Sequence, residues 1–170
     1  MKYGNLSAAF CLAILLVLNS DVRSQPPATQ PSAKLAFPKL GIAIAPLDQD
    51  GEGSVMVLSM GLPASNGFAD NINVVKQPWQ GNLDDYRAQS LKAFDENHLS
   101  VISDKKIEPN TLIWEYVGNV GGNALHFYAR AVLSNKTVFL ITGTAVEHQW
   151  KDDSAKLISC VDSFELTPPQ

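Results

Sequence analysis

Two cysteines in 170 residues leave little for a disulfide framework, and no Cys-x-x-Cys pair occurs. There is no Gly-rich phosphate loop followed by lysine and no Gly-x-Ser-x-Gly elbow, the usual signs of nucleotide binding and serine hydrolysis. Basic residues are in the minority, 13 Lys and Arg against 17 Asp and Glu, for a formal charge of −4. A protein that grips nucleic acid through phosphates carries a basic stripe, so this balance speaks against such a partner. No internal repeat is visible. What is present, 45% hydrophobic and 18% charged residues, excludes outright disorder and suggests one ordinary globular domain.

The apolar content is uneven. Leu6 to Leu18 is broken only by Ser7, follows Lys2 and precedes the polar Asn19-Ser20-Asp21. With Val22-Arg23-Ser24 as a small-residue site, residues 1–24 read as a signal peptide cut after Ser24, with Ser20 as a second cleavage point. The run falls short of the roughly 20 residues that cross a bilayer, so no stable span is expected once the leader is removed. Gln25-Pro-Pro-Ala-Thr-Gln-Pro-Ser-Ala-Lys34 opens a proline-rich linker over residues 25–36. Residues 37–166 form the expected domain and 167–170 a disordered tail. The mature chain retains eleven basic and sixteen acidic residues and a single cysteine, Cys160, among Leu157, Ile158 and Val161. Burial as a small apolar side chain suits that setting; pairing between chains is the other reading.

Turn residues at Asp48 to Gly53 separate Leu40–Ile44 from Val55–Leu58, which predicts an antiparallel pair. Phe68 to Val75 reads as a third strand with Phe68, Ile72 and Val74 on one face. Asn82, with Asp85 three residues on, predicts a capped helix to about Asn97 whose apolar face is Leu83, Tyr86, Leu91 and Phe94. A brief strand around Val101 and Ile102 follows. Gly121-Gly122 as a two-residue turn sets Trp114 opposite Ala129, Tyr116 opposite Phe127 and Gly118 opposite Leu125. Asn135-Lys136 as a second turn sets Leu133 against Val138 and Ala131 against Leu140. Ile113, Val117, Val132, Phe139 and Ile141 on the other face are also apolar, so the sheet should be covered on both sides. Thr144-Ala-Val-Glu147 fits a capping box and predicts a last helix to about Cys160 carrying Trp150, Ser154, Leu157 and Val161 on one stripe.

Candidate chemistry is sparse. The same register puts Glu115 opposite Tyr128 with His126 and Arg130 as diagonal neighbours, the one convergence of carboxylate, imidazole, phenol and guanidinium. Such a set could bind a small ligand or an anion, or serve a hydrolase; a cross-strand salt bridge with an aromatic over Gly143 is the structural alternative. Asp48-Gln-Asp50-Gly-Glu52-Gly53 has EF-hand-like spacing, but Ser59 stands where a bidentate Glu would close the loop, so a solvated turn is expected. Asp84 with Asp85, and Asp152 with Asp153, suit first helical turns. His98 and His148 stand alone at helix ends. No metal, cofactor or catalytic residue is assigned. Asn135-Lys136-Thr137 is a glycosylation sequon if the source is eukaryotic.

The order Phe68-Ala-Asp-Asn71-Ile-Asn73-Val74-Val, Leu83-Asp-Asp-Tyr86 opening a helix, the meander from Trp114 to Ala145, then Trp150 and Ser163-Phe164, resembles the PsbP and DcrB-like families, which form one superfamily with the Ran-binding Mog proteins. The resemblance implies an α+β fold, an antiparallel sheet covered by helices on both faces in an α/β/α sandwich. It implies an exported, periplasmic or secreted, non-catalytic binding or accessory protein of the cell envelope, its partner an envelope protein or a small ligand. The alternative is the ligand binder or hydrolase centred on Glu115, His126, Tyr128 and Arg130. Leu40-Gly-Ile42, Val55–Leu58 and Gly61-Leu-Pro-Ala64 also look like fragments of a PDZ domain, which leaves the later meander and helix unexplained.

Overall fold

The computed structural model describes residues 34–45, 53–65 and 67–167. The signal peptide, most of the linker, the Asp48–Glu52 part of the acidic turn and residues 168–170 lie outside the described residues. The chain divides between Gly53 and Ser54 into two units. The first holds a small hairpin, β1 (Leu35–Phe37) and β2 (Ile42–Ile44), joined by a 3₁₀ turn at Pro38–Leu40 and by Gly41 at φ +66°.

The larger unit is mixed α+β. Six antiparallel strands, β3 (Val55–Gly61), β4 (Asn71–Pro78), β5 (Ser100–Ile107), β6 (Thr111–Val120), β7 (Asn123–Ser134) and β8 (Thr137–Val146), stand in the order β3-β4-β8-β7-β6-β5. Helix α1 (Leu83–Glu96) follows β4, and α2 (Trp150–Asp162) follows β8. Both turns of the meander have left-handed residues in succession, Gly121 and Gly122, then Asn135 and Lys136, the backbone that matches strand twist. The expected register is observed pair for pair, including Trp114 with Ala129 and Leu133 with Val138. Asn82 caps α1: its side chain accepts from Asp85 N–H at 2.9 Å while Asp85 accepts from Asn82 N–H at 3.1 Å.

Alternation along the strands sorts the interior into two clusters. Leu83, Tyr86 and Phe94 of α1 pack with Leu112, Trp114, Tyr116, Leu125, Phe127 and Ala129. The rings of Phe94, Tyr116 and Phe127 stack in series, with centroids 4.4 and 4.8 Å apart. Side chains of the opposite parity, Ile72, Val74, Ile141 and Ala145, pack with Leu157 and Val161 of α2, and Cys160, a free thiol, lies partly buried against them.

Four expectations are corrected. Residues 42–44 pair with 35–37, not with 55–58, because Pro38 and Gly41 turn the chain back on itself; β1 thus begins inside the expected linker, and the described partner of β3 is β4. The third strand starts at Asn71, not Phe68; Phe68 bridges to Ser65 and joins the α1 cluster, away from Ile72 and Val74. The brief strand at Val101 runs to Ile107, its polar half held by α1 through Arg87 to Asp104 and Lys106 to Asp84. Thr144 caps nothing: it is a buried residue of β8 paired with Phe127 and Asn71, and α2 starts at Trp150 after a 3₁₀ turn, with Asp152 and Asp153 in its first turn.

Candidate functional site

The register brings Glu115, His126, Tyr128 and Arg130 to one face of β6 and β7, on the side of α2. They divide there into two groups. His126, only 5% exposed, stands between two carboxylates: Nε2 lies 2.9 Å from Glu115 Oε1 and Nδ1 2.7 Å from Glu147 Oε2. Both contacts are hydrogen bonds only when both ring nitrogens carry hydrogen. Trp150, the first residue of α2, stacks on the imidazole with centroids 4.0 Å apart and planes within 9°. The ring is therefore held at both edges and on one face.

Tyr128 and Arg130 turn to the far end of α2. Tyr128 donates its hydroxyl to the Asp162 carboxylate at 3.1 Å, and Arg130 Nη1 donates to the Asp162 carbonyl oxygen at 2.7 Å. A guanidinium at a helix C-terminus meets the negative end of the macrodipole. Burial pushes the Tyr128 hydroxyl up to about 12, and the Asp162 carboxylate adds to it, so this phenol is a neutral donor. Gly143 lies opposite Tyr128, as the register expects, and its hydrogen leaves room for Ile72, Leu157 and Val161 to close over it.

Three participants escaped the sequence reading. Its capping-box spacing hides Glu147; with β8 continued to Val146, Glu147 stands two residues beyond Ala145, the partner of His126, and the contact becomes legible. Trp150 and Asp162 come from α2, and no strand register could supply them. Beside Glu147 opens a cleft of about 290 Å³ at the end of the sheet, lined by His98, Ser100, Val117, Asn119 and Ala124. His98, left-handed at φ +55° just after α1, is thus placed at a cleft, while His148 lies in the 3₁₀ turn before α2.

Away from this cluster, Asp70 is 4% exposed just before β4, and no hydrogen bond closes on either carboxylate oxygen. Burial holds its carboxyl above the usual carboxylate range, the nearby Asp153 carboxylate raises it further, and the Val146 N–H and His148 oppose both. Asp153 is itself paired with Lys156 at 2.7 Å. Asp84 and Asp85 have structural partners, Lys106 and the α1 cap. Among the described residues no group of three or more His, Cys, Asp or Glu is arranged to hold a metal ion.

The six-stranded sheet with its two helices matches a crystal structure from Pseudomonas aeruginosa, PA94, a protein of unknown function described as a candidate regulator, with a TM-score of 0.60 at 14% identity over 81% of this chain and 98% of that one. The two chains share a fold. A solution structure of a cyanobacterial PsbP from Synechocystis sp. PCC 6803 is also similar, with a TM-score of 0.45 at 14% identity over 86% of this chain and 99% of that one. No family model matches the chain, and no curated protein sequence does. No helix among the described residues is long and apolar enough to cross a membrane.

Proposed function

We propose that this chain is an exported, non-catalytic binding or accessory protein of the cell envelope, of the PsbP/DcrB-like kind, in which α1 and α2 cover opposite faces of one antiparallel sheet. The two core clusters of opposite strand parity, each containing one helix, support the sandwich. The observation that carries the functional reading is the closure of the polar cluster on itself. A general base must aim a free lone pair at substrate. His126 instead has a carboxylate on each nitrogen and an indole on its face, while Tyr128 and Arg130 are engaged by Asp162. These contacts tie α2 and the turn before it to β7, and β7 to β6, leaving loops and sheet ends as binding surfaces. The Pro-rich stretch before the fold serves as a tether in this reading.

Export is tested by fractionating cells that express the full chain and sequencing the product's N-terminus. A product outside the cytoplasm beginning at Asp21 or Gln25 is expected; an uncleaved cytoplasmic chain overturns export. The closed cluster is tested by His126→Gln and Arg130→Gln, which should each lower the melting temperature and leave partner or ligand capture by the surviving folded protein unchanged. Loss of capture at an unchanged melting temperature would make the four residues a ligand site, the reading the sequence left open.

A further inference from the structure

Every residue from Lys34 to Ala45 is exposed, although the hairpin they form is almost wholly apolar. Its register is specific about where the apolar side chains go. Leu35 pairs with Ile44 and Phe37 with Ile42, which puts four large side chains on one face; Ala36 pairs with Ala43 on the other. The tip continues the apolar character: Leu40, between Lys39 and Gly41, is 70% exposed, the most exposed large hydrophobic residue of those described. A two-stranded hairpin of this size is marginal in water by itself, and a contiguous apolar patch of this kind marks a contact surface.

The charges narrow the choice of occupant. Between Lys34 and Ala45 the ionisable side chains are Lys34 and Lys39, with no acid among them, in a chain whose overall formal charge is −4. An apolar tip flanked by lysines, whose long stems can lie along apolar surface while their ammonium groups stay in water, matches the boundary between acyl chains and anionic headgroups. A protein partner covering the flat face would not call for an apolar tip. We infer that the hairpin of Leu35–Ile44 is a peripheral lipid-binding element that seats Leu40 and the Leu35, Phe37, Ile42 and Ile44 face in the surface of an anionic bilayer. This inference does not rest on the proposed envelope function, and each can fail alone.

The test places a reporter at the tip. Leu40→Trp in the full chain is mixed with vesicles of phosphatidylcholine containing phosphatidylglycerol, or of phosphatidylcholine alone, with and without brominated acyl chains, and the parent supplies the baseline of the native tryptophans. A blue shift and bromine quenching of the added tryptophan on anionic vesicles is expected, with vesicle affinity about thirtyfold weaker for the charge reversal Lys39→Glu. Because quenching is read at residue 40 itself, attachment through the leader cannot imitate it. A chain that binds vesicles with residue 40 unshifted and unquenched, or that does not bind, overturns the inference. So does a lipid-free dimer in sedimentation velocity that Leu40→Asp converts to monomer, which would give the face to a second copy. Circular dichroism of each variant confirms the fold being compared.

Discussion

Asp70 offers the sharpest test of the energetics, because its carboxylate is buried, meets no hydrogen bond of full geometry, and faces a second acid. Asp70→Asn keeps the shape and removes the charge. The cost of burying a polar group is shared by the asparagine amide, so the difference lies in the charge: each pK unit by which burial lifts the carboxyl removes about 1.4 kcal/mol of stability once the pH is above it. The sign follows from linkage. The folded carboxyl titrates above its ordinary value of 3.8, so the folded chain holds the proton more tightly than the unfolded chain. Its contribution is most favourable below pH 3.8 and is lost as pH rises through the folded value. The variant should therefore match the parent near pH 3 and be the more stable at pH 7, by about 1.4 kcal/mol for each pK unit of the lift, roughly 3–6 °C in melting temperature per unit for a domain of this size. Urea unfolding followed by circular dichroism from pH 3 to 8 measures the gap directly. A variant less stable than the parent at pH 7, or a gap that does not change with pH, would refute the reasoning.

Two further outcomes are expected. A methyl group at Gly118 would collide with the Leu99 side chain, which is itself buried, so Gly118→Ala should destabilise by about 1–3 kcal/mol in thermal or urea unfolding. Lys136 occupies the second left-handed position of the β7–β8 turn at φ +59°, a conformation that suits glycine; Lys136→Gly should stabilise by about 0.5–1 kcal/mol, and loss of stability would point to a contact of the lysine side chain.

The parts of the fold legible in the sequence were those governed by local rules. Gly121-Gly122 and Asn135-Lys136 fix the turns, a fixed turn fixes the register, and the register alone placed Glu115, His126, Tyr128 and Arg130 on one face. Asn82 and Asp85 carried the start of α1 in the same way. The failures came where a local pattern met tertiary competition. Thr144-x-x-Glu147 has the letters of a capping box, but burying Thr144 between Phe127 and Asn71 in the sheet wins over capping. Asp104, Lys105 and Lys106 look like a loop until the ion pairs from α1 are known. The division of the candidate cluster depends on Asp162 and Trp150, brought from α2 by packing that no short-range pattern records.

The strand order also bears on how the molecule assembles. Strands β5 to β8 pair with their immediate chain neighbours across short turns, whereas β4 joins β8 across everything from α1 onward. Closing that seam carries the largest loop entropy in the sheet and can be repaid only once β8 is in place to receive Ile72 and Val74. The meander is thus the template, and the β3–β4 hairpin the late arrival. During synthesis β4 leaves the ribosome after β3 but well before β8 exists, so the edge of its Ile72-to-Val75 segment that faces β8 must wait open, the interval in which this chain is most exposed to a chaperone or to aggregation.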